Sequence, residues 1–503
     1  MKNNANLKLQ QSALRGRNAI SVGLVIAIWA VLPLICNKGY FNISTTKAVS
    51  LWAICFVAAL SAITVCLILP VKHQKVSWFL YSLIIFGVLG FLSALLSKYG
   101  YIAWFGEDTR YDGFFTLICY VLIAAIVSQW YSFQAWHAYV LTATIFCLSF
   151  IGVLQILRYN PLSLYPQDFN LYVTHFLSLL GNFNIVSTFS QCVVIFLAAL
   201  FVFNKQNTSQ PIYLFGCCCA FVLQLIANSS AGWLGICSGF IIMAPFALKQ
   251  RNRAKFYAKT VLTLSIIGFV FFILMPLCKI PPEDKMSPIL AAIFFVGAIM
   301  SLIILIVLQL RPTLLLNESR FTFNAVFIVI ILCVIICFCT IMVLGTTPQM
   351  GIIYQMRQIA LGNLDDNFMS FRGFIWKNSL QFIPIHPLLG SGPDTFGQVF
   401  AAQYAQASID IIGTVADKAH NEYLQYLVCT GVLGLVSYMA VILLALNKWR
   451  ENVIKMENPE IIAAGFAVIG YIIQAFFTFS SPISSPFFWV MLGICAKSVV
   501  KVK

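Results

Sequence analysis

Residues 417–435 read DKAHNEYLQYLVCTGVLGL. Asp417, Lys418, His420 and Glu422 crowd the first six positions, and an apolar stretch carrying Gly431 and Gly434 then continues to about residue 446. A run of roughly 17–25 apolar residues is what a helix needs to cross a bilayer. The stretch therefore reads as a polar segment feeding directly into a membrane span. One of only five histidines in the chain stands at that threshold.

The rest of the sequence agrees. Across 503 residues, 60% are hydrophobic and 9% charged, with a mean hydropathy of +0.90, which excludes a soluble globular chain. The composition predicts an all-α polytopic membrane protein. Apolar runs mark about 14 transmembrane helices, near 19–36, 48–70, 76–97, 114–130, 138–157, 184–203, 212–227, 231–248, 260–278, 287–310, 321–346, 424–446, 460–479 and 485–500. The first follows a basic stretch but lacks a small-residue cleavage site, so it is expected to be an uncleaved span.

Charge supplies the orientation. With the N terminus in the cytoplasm and fourteen alternating spans, twenty of the 31 Lys and Arg residues fall on the inner side with only four of the 16 acidic ones. Both termini are then cytoplasmic, and the net +15 reflects topology, giving no support to nucleic-acid binding. Most of the sixteen cysteines fall inside spans as small apolar residues, with no CxxC spacing for a disulfide framework or zinc site. No cofactor and no metal site is expected.

The chain divides into a membrane part at 1–346, a long outer segment at 347–423 and a last membrane part at 424–503. Loops beyond about 15 residues usually carry function or structure of their own. This one is predicted to be a large extracytoplasmic helical loop. In FRGFIWKNSLQFI, Arg372 and Trp376 stand four apart and share a helix face. A Gly/Pro-rich turn follows through His386, Pro387, Gly390, Gly392 and Pro393. Asp394 reads as the cap of a second helix. A third helix is expected from about Asp417 into the twelfth span. Eleven residues amount to about 1100° of rotation, which puts His420 and Gly431 on nearly one face, where glycines let another span approach.

Spacing alone assigns a histidine at such a boundary to interfacial packing. The combined pattern, however, resembles the bacterial O-antigen ligase and polymerase family, whose members transfer glycans from undecaprenyl diphosphate. The family's His, then Asn, Ser or Gln, nine residues and G-x-x-G is matched by His420, Asn421, EYLQYLVCT, Gly431 and Gly434. Its R-x-x-x-W and HP-x-x-G-x-G are matched by Arg372, Trp376, His386, Pro387, Gly390 and Gly392. GNFN at 181–184 resembles a G-N-P-N element, and Arg110 with Gly113 an R-x-x-G. Ser230 stands where many relatives carry an arginine.

The resemblance implies a C-type glycosyltransferase-like membrane enzyme acting at the outer face of the bacterial cytoplasmic membrane. Its donor would be an undecaprenyl diphosphate-linked glycan, and its acceptor a glycan, lipid or protein, among the membrane lipids around it. Cations must offset charge on the leaving phosphate, and arginine's planar fork suits phosphate oxygens. Arg372 is the first candidate, followed by Arg110, then Arg357 and Arg158. With no D-x-D cluster, transfer is expected to be metal-independent. His420 is the candidate base or acceptor-positioning group, with Asn421 or Glu422 orienting it. His386 and His175 read as structural, and Trp376, Trp104, Tyr101 and Tyr111 as headgroup-belt residues. The competing reading is a lipid-linked oligosaccharide flippase or other secondary transporter, which calls for repeated halves and polar or broken helices near the midplane. Neither is visible in the sequence.

Overall fold

The computed structural model describes residues 2–37, 39–68, 76–165, 177–204, 208–277, 286–310 and 352–497. Among these residues the chain is helical and contains no strand. Among the described residues eleven helices are long and apolar enough to cross a membrane, and Phe114–Trp130 and Ser485–Cys495 are shorter apolar helices on two further expected runs. The chain is a multi-pass membrane protein. The expected span at 321–346 and His175 lie outside the described residues.

The helices that position the site are α1 (Lys2–Ile26), α2 (Ile43–Ile68), α3 (Trp78–Leu96), α4 (Phe114–Trp130), α5 (Ala135–Ile156), α6 (Phe183–Phe203), α7 (Gln210–Ala227), α8 (Ser230–Ala247), α9 (Arg251–Leu274), α10 (Pro288–Leu310), α11 (Ile352–Ala360), α12 (Phe368–Ser379), α13 (Phe396–Ile412), α14 (Glu422–Lys455), α15 (Pro459–Gln474) and α16 (Ser485–Cys495). Helix α6 is apolar on every face, and such a helix belongs at the centre of a bundle. It is enclosed by α7, α8, α9 and α15. Three of its polar side chains bond across helices: Ser187 and Ser190 donate to Gln224 Oε1 at 3.0 and 2.8 Å, and Gln474 Nε2 donates to Thr188 Oγ1 at 2.9 Å. In an apolar medium each of these groups would otherwise be left unpaired.

Lys47, fully buried in α2, donates Nζ to the carbonyls of Leu32 and Pro33 at 2.8 and 2.9 Å. Those carbonyls end the first span, where helix geometry leaves acceptors without partners.

Two helix starts shape the site. Asn182 caps α6, its side chain accepting from the N–H groups of Asn184 and Ile185. Asn421 caps α14 in the same way, accepting from Tyr423 and Leu424 N–H at 3.1 Å each. The expected third helix is thereby corrected. It begins at Glu422, not near Asp417, and His420 lies outside it with φ +50°. The helical rotation from His420 to Gly431 does not apply.

Candidate functional site

Helix α14 is broken at Gly431, which adopts φ +70°, ψ −175°, a conformation open to glycine almost alone. The break leaves backbone groups without helical partners, and the HPLLGSG turn supplies them. Ser391 and Gly392 N–H donate to the carbonyls of Val428 and Cys429, and Val432 and Leu433 N–H donate to those of Pro387 and Leu388, at 2.8–3.2 Å. A side chain at Gly431 would meet the Leu388 carbonyl, and one at Gly390 the backbone of Cys429. The two glycine motifs are halves of one interlock. Gly431 therefore does not serve close approach of another span, and Gly434 makes room for Thr430 of its own helix.

From this anchored turn the chain returns to the segment 416–421. Ala419 is held on both sides: its N–H donates to Gln425 Oε1 at 2.9 Å, and its carbonyl accepts from Trp376 Nε1 at 2.9 Å. Trp376 is thus a strut of this segment and not a belt residue. These bonds and the Asn421 cap hold His420 in its left-handed conformation, which costs a residue other than glycine energy. The imidazole meets Phe479 edge-on, with ring centroids 5.2 Å apart, and its buried Nδ1 has no hydrogen-bond partner. Neither expected neighbour orients it. Asn421 is committed to the cap, and Glu422 accepts from the hydroxyls of Tyr438 and Tyr471 at 2.7 and 2.8 Å.

Arg372 and Trp376 do share α12, and Arg372 follows a left-handed turn at residues 369–371. The guanidinium donates through one terminal nitrogen to the Met369 carbonyl, while its buried Nε has no partner. Among the described residues no carboxylate pairs with it. Burial lowers its pKa.

A cavity of about 600 Å³ is lined by Arg110, Arg372 and His420 together with Asn182, Phe183 and Asn184 of the GNFN element and Asn228, Ser229 and Ser230. Of the elements carrying the resemblance, those of His420, Arg372, Arg110 and GNFN send residues to it, whereas the HPLLGSG turn and Gly431 brace each other. Arg110 packs on the same Phe479 ring as His420, with Nε donating to Asp417 Oδ2 at 2.6 Å and the guanidinium 5.0 Å from the ring centroid. Burial raises the Asp417 pKa, but the Arg110 charge outweighs it and holds the carboxyl below its ordinary value. At His420, burial first and the Arg372 charge second push the pKa down to about 3. The imidazole is therefore neutral, not poised near 7 as a surface base would be.

Other candidates lie elsewhere. Arg158 (φ +66°), which follows α5, and Arg357 on α11 do not line the cavity. His386 is exposed, and its carbonyl accepts the Gly390 N–H at 3.0 Å. Trp104 packs on Phe114, Tyr101 on Phe105 and Tyr111 against Trp52, and none of the three lines the cavity. Among the described residues no three His, Cys, Asp or Glu side chains group closely enough to hold a metal ion.

Sequence reasoning missed a buried charge cluster behind the cavity. Asp394 is not a helix cap. Its Oδ2 accepts the N–H groups of Glu107 and Asp112 at 3.0 Å each, and its Oδ1 meets Lys418 Nζ. Lys418 Nζ also lies 3.6 Å from Asp112 Oδ2. Four ionisable residues among six at 417–422 were the available signal, but three of their partners lie 24 to more than 300 positions upstream.

No individual curated protein matches the chain at a significant level. Residues 287–439, which span both loop motifs and the broken first half of α14, match the family model described as O-antigen ligase.

Proposed function

We propose that this cavity transfers a glycan from undecaprenyl diphosphate to an acceptor hydroxyl, at the outer face of a bacterial cytoplasmic membrane. The match of residues 287–439 to the O-antigen ligase family model supports a glycan ligase or polymerase role. The observation that carries the finer reading is the convergence of Arg110, Arg372 and an unpartnered His420 nitrogen on one cavity.

The acceptor oxygen attacks the anomeric carbon, the bond from that carbon to the phosphate oxygen breaks, and the acceptor proton passes to His420. Negative charge then develops on the departing diphosphate, next to Arg372. A preorganised cation at that position stabilises the transition state more than the ground state. Among the described residues, the terminal nitrogens of Arg110 have no hydrogen-bond partner, so they too can meet phosphate while Nε stays on Asp417. With arginines in this role the transfer needs no metal. The outer orientation follows from the Lys and Arg excess assigned to the other side.

Purified protein given a defined undecaprenyl diphosphate glycan and an acceptor, in detergent with EDTA, is expected to form the glycosidic product without any transbilayer gradient. Movement of donor across vesicle bilayers without bond formation would establish the transporter reading instead.

A further inference from the structure

We propose that Lys418 is a positioning residue for the transfer site, acting through a buried charge node that holds the cavity wall in register. This inference rests on the function proposed above. Lys418 is 1% exposed and lies between two carboxylates, Asp394 and Asp112. Asp112 in turn accepts from the Tyr120 hydroxyl at 3.0 Å and from the Ser480 hydroxyl. Burial alone would lower the Lys418 pKa, but the Asp394 and Asp112 charges raise it instead, so the ammonium stays charged.

What distinguishes the node from an ordinary buried ion pair is where its members sit in the chain. Lys418 follows Asp417 directly and precedes His420 by two residues. Asp112 comes two residues after Arg110. Ser480 is the neighbour of Phe479, against which both His420 and Arg110 pack. Each of these three members is one or two residues from a group on the cavity, and none lines the cavity itself. Asp394 ties the set to the interlocked turn and to the backbone of Glu107 and Asp112. The node thus joins four chain segments, and its geometry sets the spacing of Arg110 and His420 about the Phe479 ring. Removing only the lysine would leave two buried carboxylates facing each other, which is destabilising in its own right.

The test separates positioning from stability. Lys418→Met combined with Asp394→Asn removes one charge of each sign. This double variant is expected to stay monodisperse with an unfolding midpoint near that of the parent, yet to lose about 100-fold in kcat with donor KM changed less than about 3-fold. Lys418→Arg keeps the charge but changes its shape in an enclosed site. It is expected to fold and to lose at least about 10-fold in kcat. Wild-type kcat in either folded variant overturns the proposal, as does failure of both to accumulate as folded protein, which would make the node a requirement of the fold alone. His420→Ala and Arg372→Ala run in the same assay keep the two claims apart. If those two variants retain transfer, the function itself is wrong; if they are inactive while the Lys418 variants are fully active, only the positioning inference fails.

Discussion

Arg372→Ala is expected to lower kcat for glycan transfer by about 10²–10³-fold, the usual effect of removing one preorganised donor from developing negative charge. Arg372 is partly buried, lines the cavity and has no carboxylate partner among the described residues. Its Nε makes no hydrogen bond at all. A cation held without a counter-charge is unfavourable in the resting protein and becomes favourable only when an anion arrives. The same substitution should therefore leave the thermal unfolding midpoint unchanged or raised, a pattern common where function and stability conflict. Arg372→Lys should recover only part of the rate, because an ammonium lacks the planar fork. Arg158→Ala and Arg357→Ala, at positions off the cavity, should stay within about 3-fold of wild type. Steady-state kinetics beside thermal melts would expose the account as wrong if Arg372→Ala lost stability and activity in parallel, or if all three alanine variants behaved alike.

His420→Ala is expected to lose about 10²–10⁴-fold in kcat, the range of a positioned general base. Glutamine can accept a hydrogen bond but cannot take the proton, so His420→Gln should be as inactive as alanine; a Gln variant with most of the activity would reduce His420 to placing the acceptor. The pH profile carries a second signature. Burial and the Arg372 charge set the free-protein pKa at about 3, and protonation would remove the base. The acid limb that His420 contributes to kcat/KM, which reports the free enzyme, therefore lies far below the working range, and none is expected from it between about pH 5 and 8. A bound diphosphate adds negative charge beside Arg372 and raises the imidazole pKa. Then kcat, which reports the complex, should fall with acidification at a higher pH than kcat/KM does.

The spans were legible because length and apolarity decide them locally. Phe183–Phe203 and Ser230–Ala247 fall within a residue of their expected bounds. Gly431 was not legible as a break, because GVLGL reads as ordinary helix and the groups that receive the break lie some forty residues upstream in the HPLLGSG turn. Asp394 failed for a related reason. An aspartate after proline and before a helix has the local form of a cap, but Lys418 and two backbone N–H groups of the loop before α4 compete for its oxygens and win. The nearness of Arg110, Arg372 and His420 was suggested by family motifs alone, since nothing in their spacing brings together positions 262 and 48 residues apart. Nothing in the sequence singled out Lys418, and only the fold shows it buried.

The most direct test of the site is covalent capture of the donor. An undecaprenyl diphosphate glycan carrying a photoreactive group on its first sugar, irradiated with purified protein and mapped by peptide mass spectrometry, should label peptides containing residues 228–231, 412–420 or 479. That labelling should fall sharply in Arg372→Ala. Adducts confined to other segments, with those three clean, would contradict the placement of glycan transfer at this cavity.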